Sequence, residues 1–165
     1  MNALAVKYFG TERLAVARIT APDDLEKMTG WMHAWWGEVE GYSRDEVQCF
    51  LRNSLHESGI PQTFGLYRND ELIGMFQIIY GDLFCRPDIN PWLANAYVDE
   101  AYRGRGFGRF MLSTATAAAQ ATDTNKLFLY TTHTGLYETL GWEFVEELDT
   151  FLNPRIQRLY RLEVG

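Results

Sequence analysis

Gly104, Gly106 and Gly108 alternate with Arg103, Arg105, Phe107 and Arg109, soon after an apolar run that ends at Val98. These types at this spacing suit the holding of an anion. Glycines lack Cβ atoms, so the backbone turns tightly and brings successive N–H groups close to a ligand. A helix opening in the same stretch adds unpaired donors and the positive end of its dipole, a combination that suits phosphate. Two other phosphate loops do not fit the letters. A P-loop needs Gly-Lys-Ser/Thr, and the chain contains no such tripeptide. A dinucleotide fingerprint begun at Gly104 needs a third glycine where Arg109 stands.

What remains is Arg103-x-x-Gly106-x-Gly108, following a strand that ends Val98-Asp99-Glu100. This resembles the coenzyme A pyrophosphate loop of the GNAT acetyltransferase superfamily, written Gln/Arg-x-x-Gly-x-Gly/Ala. A second landmark agrees: residues 136–142 read Leu-Tyr-Glu-Thr-Leu-Gly-Trp, similar to the superfamily's Leu-Tyr-Glu-x-x-Gly-Phe/Trp. The two motifs and the strand between them span residues 92–145, about a third of the chain.

The resemblance implies an acetyl-CoA-dependent N-acetyltransferase. Its pantetheine arm would pair with backbone groups of Ala96, Tyr97 and Val98, as an added strand would. Its pyrophosphate would sit on the N–H groups of Gly104, Arg105, Gly106, Phe107, Gly108 and Arg109, with Arg103 and Arg105 adding charge. The resemblance gives Tyr137 the role of proton donor to the departing thiolate, since a phenol of pKa ~10 stays protonated at neutral pH. A backbone N–H of the strand at residues 92–98 is expected to stabilise the oxyanion, with Asn95 the one side-chain donor there. Many relatives carry a glutamate early in that strand, where this chain has Trp92 and Leu93. Asp82, Asp88, His133, Glu38 and Glu40 therefore stand as alternatives for the general base. Many relatives also carry an asparagine seven residues before the tyrosine, where this chain has Tyr130. The acceptor, a small amine or a protein amino group, is expected against Trp36, Glu38 and Glu40, by charge and cation–π contact. A non-catalytic acyl-CoA-binding regulatory module of the same fold is the second reading.

Composition narrows the field. The 165-residue chain carries a formal charge of −7, against the basic face that nucleic acid requires. Only Arg103, Arg105 and Arg109 cluster, where one anionic cofactor explains them. Cys49 and Cys85 lack metal or redox spacing and are expected as buried thiols. No metal site is expected. No apolar run reaches the ~18 residues of a membrane span, and the first residues do not read as a secretory leader. A soluble cytoplasmic protein follows, with a homodimer left open.

The elements that must position these residues are legible in outline. Residues 14–19 form a strand. Leu25, Met28, Met32 and Trp35 recur at helical spacing and are expected to form one core stripe. Trp31 and Trp36 fall off that line, which directs one of them to a cleft or a partner. Ser43-x-x-Glu46 is a capping box ahead of a second helix ending near Gly59. Residues 63–67 and 72–80 make a hairpin, and residues 81–91 an irregular loop. A central strand at 92–98, a helix at 107–121, a strand at 126–131, a short helix at 134–140 and strands at 142–146 and 156–162 complete the order. That order resembles the GNAT fold. The expected architecture is one α/β (α+β) domain over residues 1–165, a mixed twisted sheet of six to seven strands with helices on both faces.

Overall fold

A computed structural model describes residues 2–165. In chain order the elements are β1 (Ala3–Phe9), β2 (Glu12–Ile19), α1 (Leu25–Met32), α2 (Arg44–Arg52), β3 (Gln62–Arg68), β4 (Glu71–Ile79), β5 (Trp92–Val98), α3 (Phe107–Ser113), α4 (Ala115–Ala121), β6 (Lys126–Thr131), β7 (Glu143–Asp149) and β8 (Ile156–Glu163). The strands form one eight-stranded sheet ordered β1-β2-β3-β4-β5-β6-β8-β7. All neighbours are antiparallel except β5 and β6, which are parallel.

Alternation along the strands feeds two cores. Leu14, Val16, Phe64, Phe76 and Leu127 pack under α3 and α4, with Phe107, Met111 and Ala118. Ile19, Leu72 and Met75 meet α1 and α2 on the opposite face, through Met28, Met32, Val47 and Leu51. A third cluster joins Leu83 and Ile89 of the 81–91 loop to Trp92, Leu148 and Leu159. That loop is tied to β7 by Arg86, which donates to Asp88 at 2.9 and 2.8 Å and to Glu146 at 2.9 Å. The Ser43 capping box is present: Ser43 Oγ accepts from the Glu46 N–H at 3.1 Å, and Glu46 accepts from the Ser43 N–H at 2.6 Å.

Several expectations need correction. The sheet has one strand more than the six to seven expected, because β1 pairs with β2 around a turn at Gly10. β1 is an edge strand with a half-polar face, so its alternation is weak. The second helix ends at Arg52, ahead of Gly59. The helix expected at 107–121 is broken at Thr114, whose hydroxyl donates to the Met111 carbonyl at 2.7 Å and competes with the helical ladder. Trp35 leaves the core stripe. After Met32 the helix widens into a π-turn at His33–Gly37, closed by Glu38 N–H to the His33 carbonyl at 2.9 Å, and this turns Trp35 out to 48% exposure while Trp31 is buried. Cys49 and Cys85 are both exposed, not buried. Cys49 lies off the Val47–Leu51 stripe of α2, and Cys85 lies in the 81–91 loop.

Candidate active site

The sheet is nearly cut between β5 and β6. Their only ladder pair is Trp92 with Phe128, supplemented by Phe128 N–H to the Pro91 carbonyl at 3.0 Å. Beyond Trp92 the two strands diverge, leaving backbone groups on one edge of β5 free of a sheet partner. β5 is further disturbed by a bulge. Met75 to Gln77 of β4 spans two steps, while the paired residues Tyr97 to Ala94 of β5 span three. The extra residue is accommodated at Asn95, whose φ of 54° is a left-handed conformation that asparagine tolerates better than most residues. The Asn95 side chain is held, donating to Gln77 Oε1 at 2.7 Å. Gln77 in turn donates to Thr63 at 3.0 Å, and Thr63 to the Ser54 carbonyl at 2.9 Å. The donors unclaimed by the β4 ladder at the bulge are therefore on the backbone.

The glycine loop lies at the far end of β5. Gly106 caps α3 with φ 85° and Gly104 has φ 75°, so both need the freedom of glycine. The arginine side chains are already engaged. Arg103 donates to the Val98 carbonyl at 2.7 Å and covers the Tyr97 ring at 5.0 Å. Arg105 pairs with Glu12, which also binds Arg68 at 2.5 Å, and Arg109 donates to Thr139 at 2.8 Å. These contacts fix the loop from three sides, β5, the residue Thr139 after β6 and the β1–β2 hairpin, where Phe9 also packs edge-on against Phe107 at 5.1 Å. The loop thus offers an anion its backbone N–H groups, with arginines serving as struts.

A cleft of about 630 Å³ opens along the β5–β6 gap. Asn95, Ala96, Leu129, Tyr130, Thr131, His133 and Tyr137 line it from the sheet side, and Trp35, Trp36, Glu40, Tyr42, Glu46 and Phe50 from the α1–α2 side. Tyr80 and Asp82 contribute from the end of β4. The Tyr137 ring is buried against Trp142 at 6.2 Å and Tyr160 at 5.7 Å. Burial, and then Tyr160, raise its phenol above the ordinary value, which holds the proton more firmly on oxygen.

A model of the acetyltransferase (GNAT) family matches residues 25–142, well over half of the chain. The chain belongs to the GNAT acetyltransferase family. Solved GNAT structures share its fold. A GNAT-family acetyltransferase from Streptococcus pneumoniae superposes with a TM-score of 0.66 at 17% identity, covering 92% of this chain and 99% of that one. A ribosomal L7/L12 alpha-N-protein acetyltransferase in complex with coenzyme A gives 0.68 at 12% identity, covering 97% and 98%. An aminoglycoside 6'-acetyltransferase type Ii gives 0.66 at 16% identity, covering 91% and 97%. No curated protein sequence matches the chain significantly.

Within this GNAT domain the residues singled out from sequence do not all meet. Trp36 and Glu40 line the cleft, whereas Glu38 is exposed outside its lining. Asp88 is also outside it, held by Arg86. Three proton-accepting candidates share the cleft: His133, Glu40 and Asp82. Asp82 is the perturbed one. Burial, and then the Glu40 charge, raise its carboxyl from 3.8 to about 7. Tyr130 is raised by its own burial and then by the charges of Asp82 and Glu40, the two carboxylates that line the cleft with it. Trp35 and Tyr80 also line the cleft without any signal for it in the sequence; only the π-turn and the end of β4 place them there.

The raised Asp82 carboxyl has a consequence for stability. Between pH 4 and about 7 the folded chain holds a proton that the unfolded chain has released, so this group's contribution falls as pH rises and its cost is complete above about pH 7. Asp82→Asn removes that cost. Discounted for solvent at the cleft, the variant is expected to gain about 1 kcal/mol, or about 2–4 °C in Tm, at pH 8. The gain should vanish near pH 4. A Tm difference that is the same at both pH values would rule out the charge.

Proposed function

We propose that this chain transfers the acetyl group of acetyl-CoA to a primary amine by direct attack in a ternary complex. The observation that carries this reading is the open β5–β6 gap, whose lining includes Tyr137 and whose β5 edge runs on toward the glycine loop after Val98. Both parts suit the cofactor. At Gly104 an added Cβ would meet nothing within 4 Å, so that side of the loop is clear for a phosphate to approach the N–H groups of residues 104–109. The edge of β5 at Ala96, Tyr97 and Val98 has no β6 partner, with the Val98 carbonyl alone taken, by Arg103, and this suits an extended amide chain. Acetyl-CoA, when bound, supplies an activated acyl group as a thioester.

The protein's own groups do the rest. Tyr137 keeps a proton on its phenolic oxygen for the departing sulfur. The β5 bulge leaves backbone donors free of the β4 ladder, available to a developing oxyanion. The aromatic walls exclude water, and the acidic lining attracts a cationic amine. Aminoglycosides and a ribosomal protein are named for two of the structural neighbours, so small amines and protein amino groups are both candidate acceptors.

A melting series with acetyl-CoA tests cofactor binding directly, and thiol release across an amine library tests transfer. Acetyl-CoA at a hundredfold excess over Kd should add about 2.7 kcal/mol of stability. A melting temperature that does not respond to saturating acetyl-CoA would sink the reading. A normal response with no thiol release from any amine would favour a binding module.

A further inference from the structure

Three carboxylates line the cleft, and only one is occupied. Glu46 closes the capping box of α2. Glu40 and Asp82 come from separate connections, one after the π-turn and one after β4. They lie close enough that the charge on one raises the other, yet among the described residues neither meets a cation or a hydrogen-bond donor. No lysine or arginine lines the cleft. No third acidic, histidine or cysteine ligand joins the pair to make a metal site among the described residues. The surrounding walls are aromatic faces, Trp36, Tyr42 and Tyr130 among them, which favour an organic cation.

Register places the end of β4 away from the bulge. Asp82 lies beyond the Ile79–Trp92 pair, and the bulge at Asn95 lies three residues inside it. At ~3.3 Å per residue that offset is on the order of 10 Å. The amine that attacks the thioester must be unprotonated, so a group that meets the two carboxylates as a cation is a second centre of the acceptor.

We propose that the acceptor is a dication: one amine is acetylated, and a second cationic centre, carried on an apolar spacer, seats between Glu40 and Asp82. This rests on the transferase reading above. Two competing carboxylates gain a shared counter-ion on binding, so the pair discriminates by the charge of a group that does not react.

Thiol release at saturating acetyl-CoA, with matched probes, tests the proposal: hexylamine against 1,6-diaminohexane, and benzylamine against p-xylylenediamine. Each diamine should exceed its monoamine in kcat/KM by ~10–100-fold, the range for a charge-assisted contact, beyond the twofold due to two equivalent amines. Asp82→Asn and Glu40→Gln, on separate connections, should each shrink that ratio, chiefly through the diamine KM. Equal kcat/KM within each pair would overturn the proposal and leave the transferase reading intact. So would silence from all four amines while acetyl-CoA still raises the melting temperature. Loss of the acetyl-CoA response in the wild-type protein would instead remove the reading beneath it.

Discussion

Tyr137→Phe is expected to lower kcat by roughly 10²–10⁴-fold, the range for a lost general acid, while acetyl-CoA binding and the fold stay intact. The geometry separates the two effects. The ring supplies packing against Trp142 and Tyr160, which phenylalanine retains, and the hydroxyl makes no hydrogen bond among the described residues, so its removal leaves no partner unsatisfied. Acetyl-CoA should raise the melting temperature of the variant as it does that of the wild type. Single-turnover rates with an accepted amine decide the matter. Full turnover in the variant, with chemistry limiting, would confine Tyr137 to the core.

Gly106→Val is expected to abolish the acetyl-CoA response, a loss of about 2.7 kcal/mol at a hundredfold excess of ligand over Kd. Two causes act together. At φ 85° a β-branched residue costs roughly 1–2 kcal/mol of backbone strain, and the new side chain, beside Phe9 at 3.6 Å, crowds the N-terminal donors of α3. Gly59→Val separates them. Gly59 has φ 71° and open space around it, in the connection after α2, so it carries similar strain without touching the loop. Both variants should melt lower than the wild type, and only Gly59→Val should still respond to acetyl-CoA. A retained response in Gly106→Val would move the phosphate away from this loop.

How much of this was legible from the letters depended on whether a feature needs particular residue types or only a particular path of the backbone. Gly104 and Gly106 stand out because positive φ is nearly a glycine property, and Tyr137 because its Leu-Tyr-Glu segment resembles the family's motif. The capping box at Ser43 was legible for the same reason. The β5 bulge was not, since Asn95 in a left-handed conformation looks like any polar residue in a strand. Ideal helical spacing puts Trp35 in the core, and a π-turn changes the phase of the residues after it. β1 carries little signal because Lys7 and Tyr8 dilute its alternation, although Phe9 and the neighbouring Glu12 brace the glycine loop. The proximity of Glu40 and Asp82 is purely tertiary. Nothing in either local segment announces the other.

The one-pair junction between β5 and β6 also changes what kind of object the sheet is. Mechanically it is two smaller sheets, β1–β5 and β6–β8, sharing a single rung at Trp92 and Phe128. An extended ligand lying in the gap would act as the absent rungs. Its backbone-like amides would carry load between the halves that hydrogen bonds carry elsewhere in the sheet, so an occupied site would stiffen the whole molecule across its weakest line.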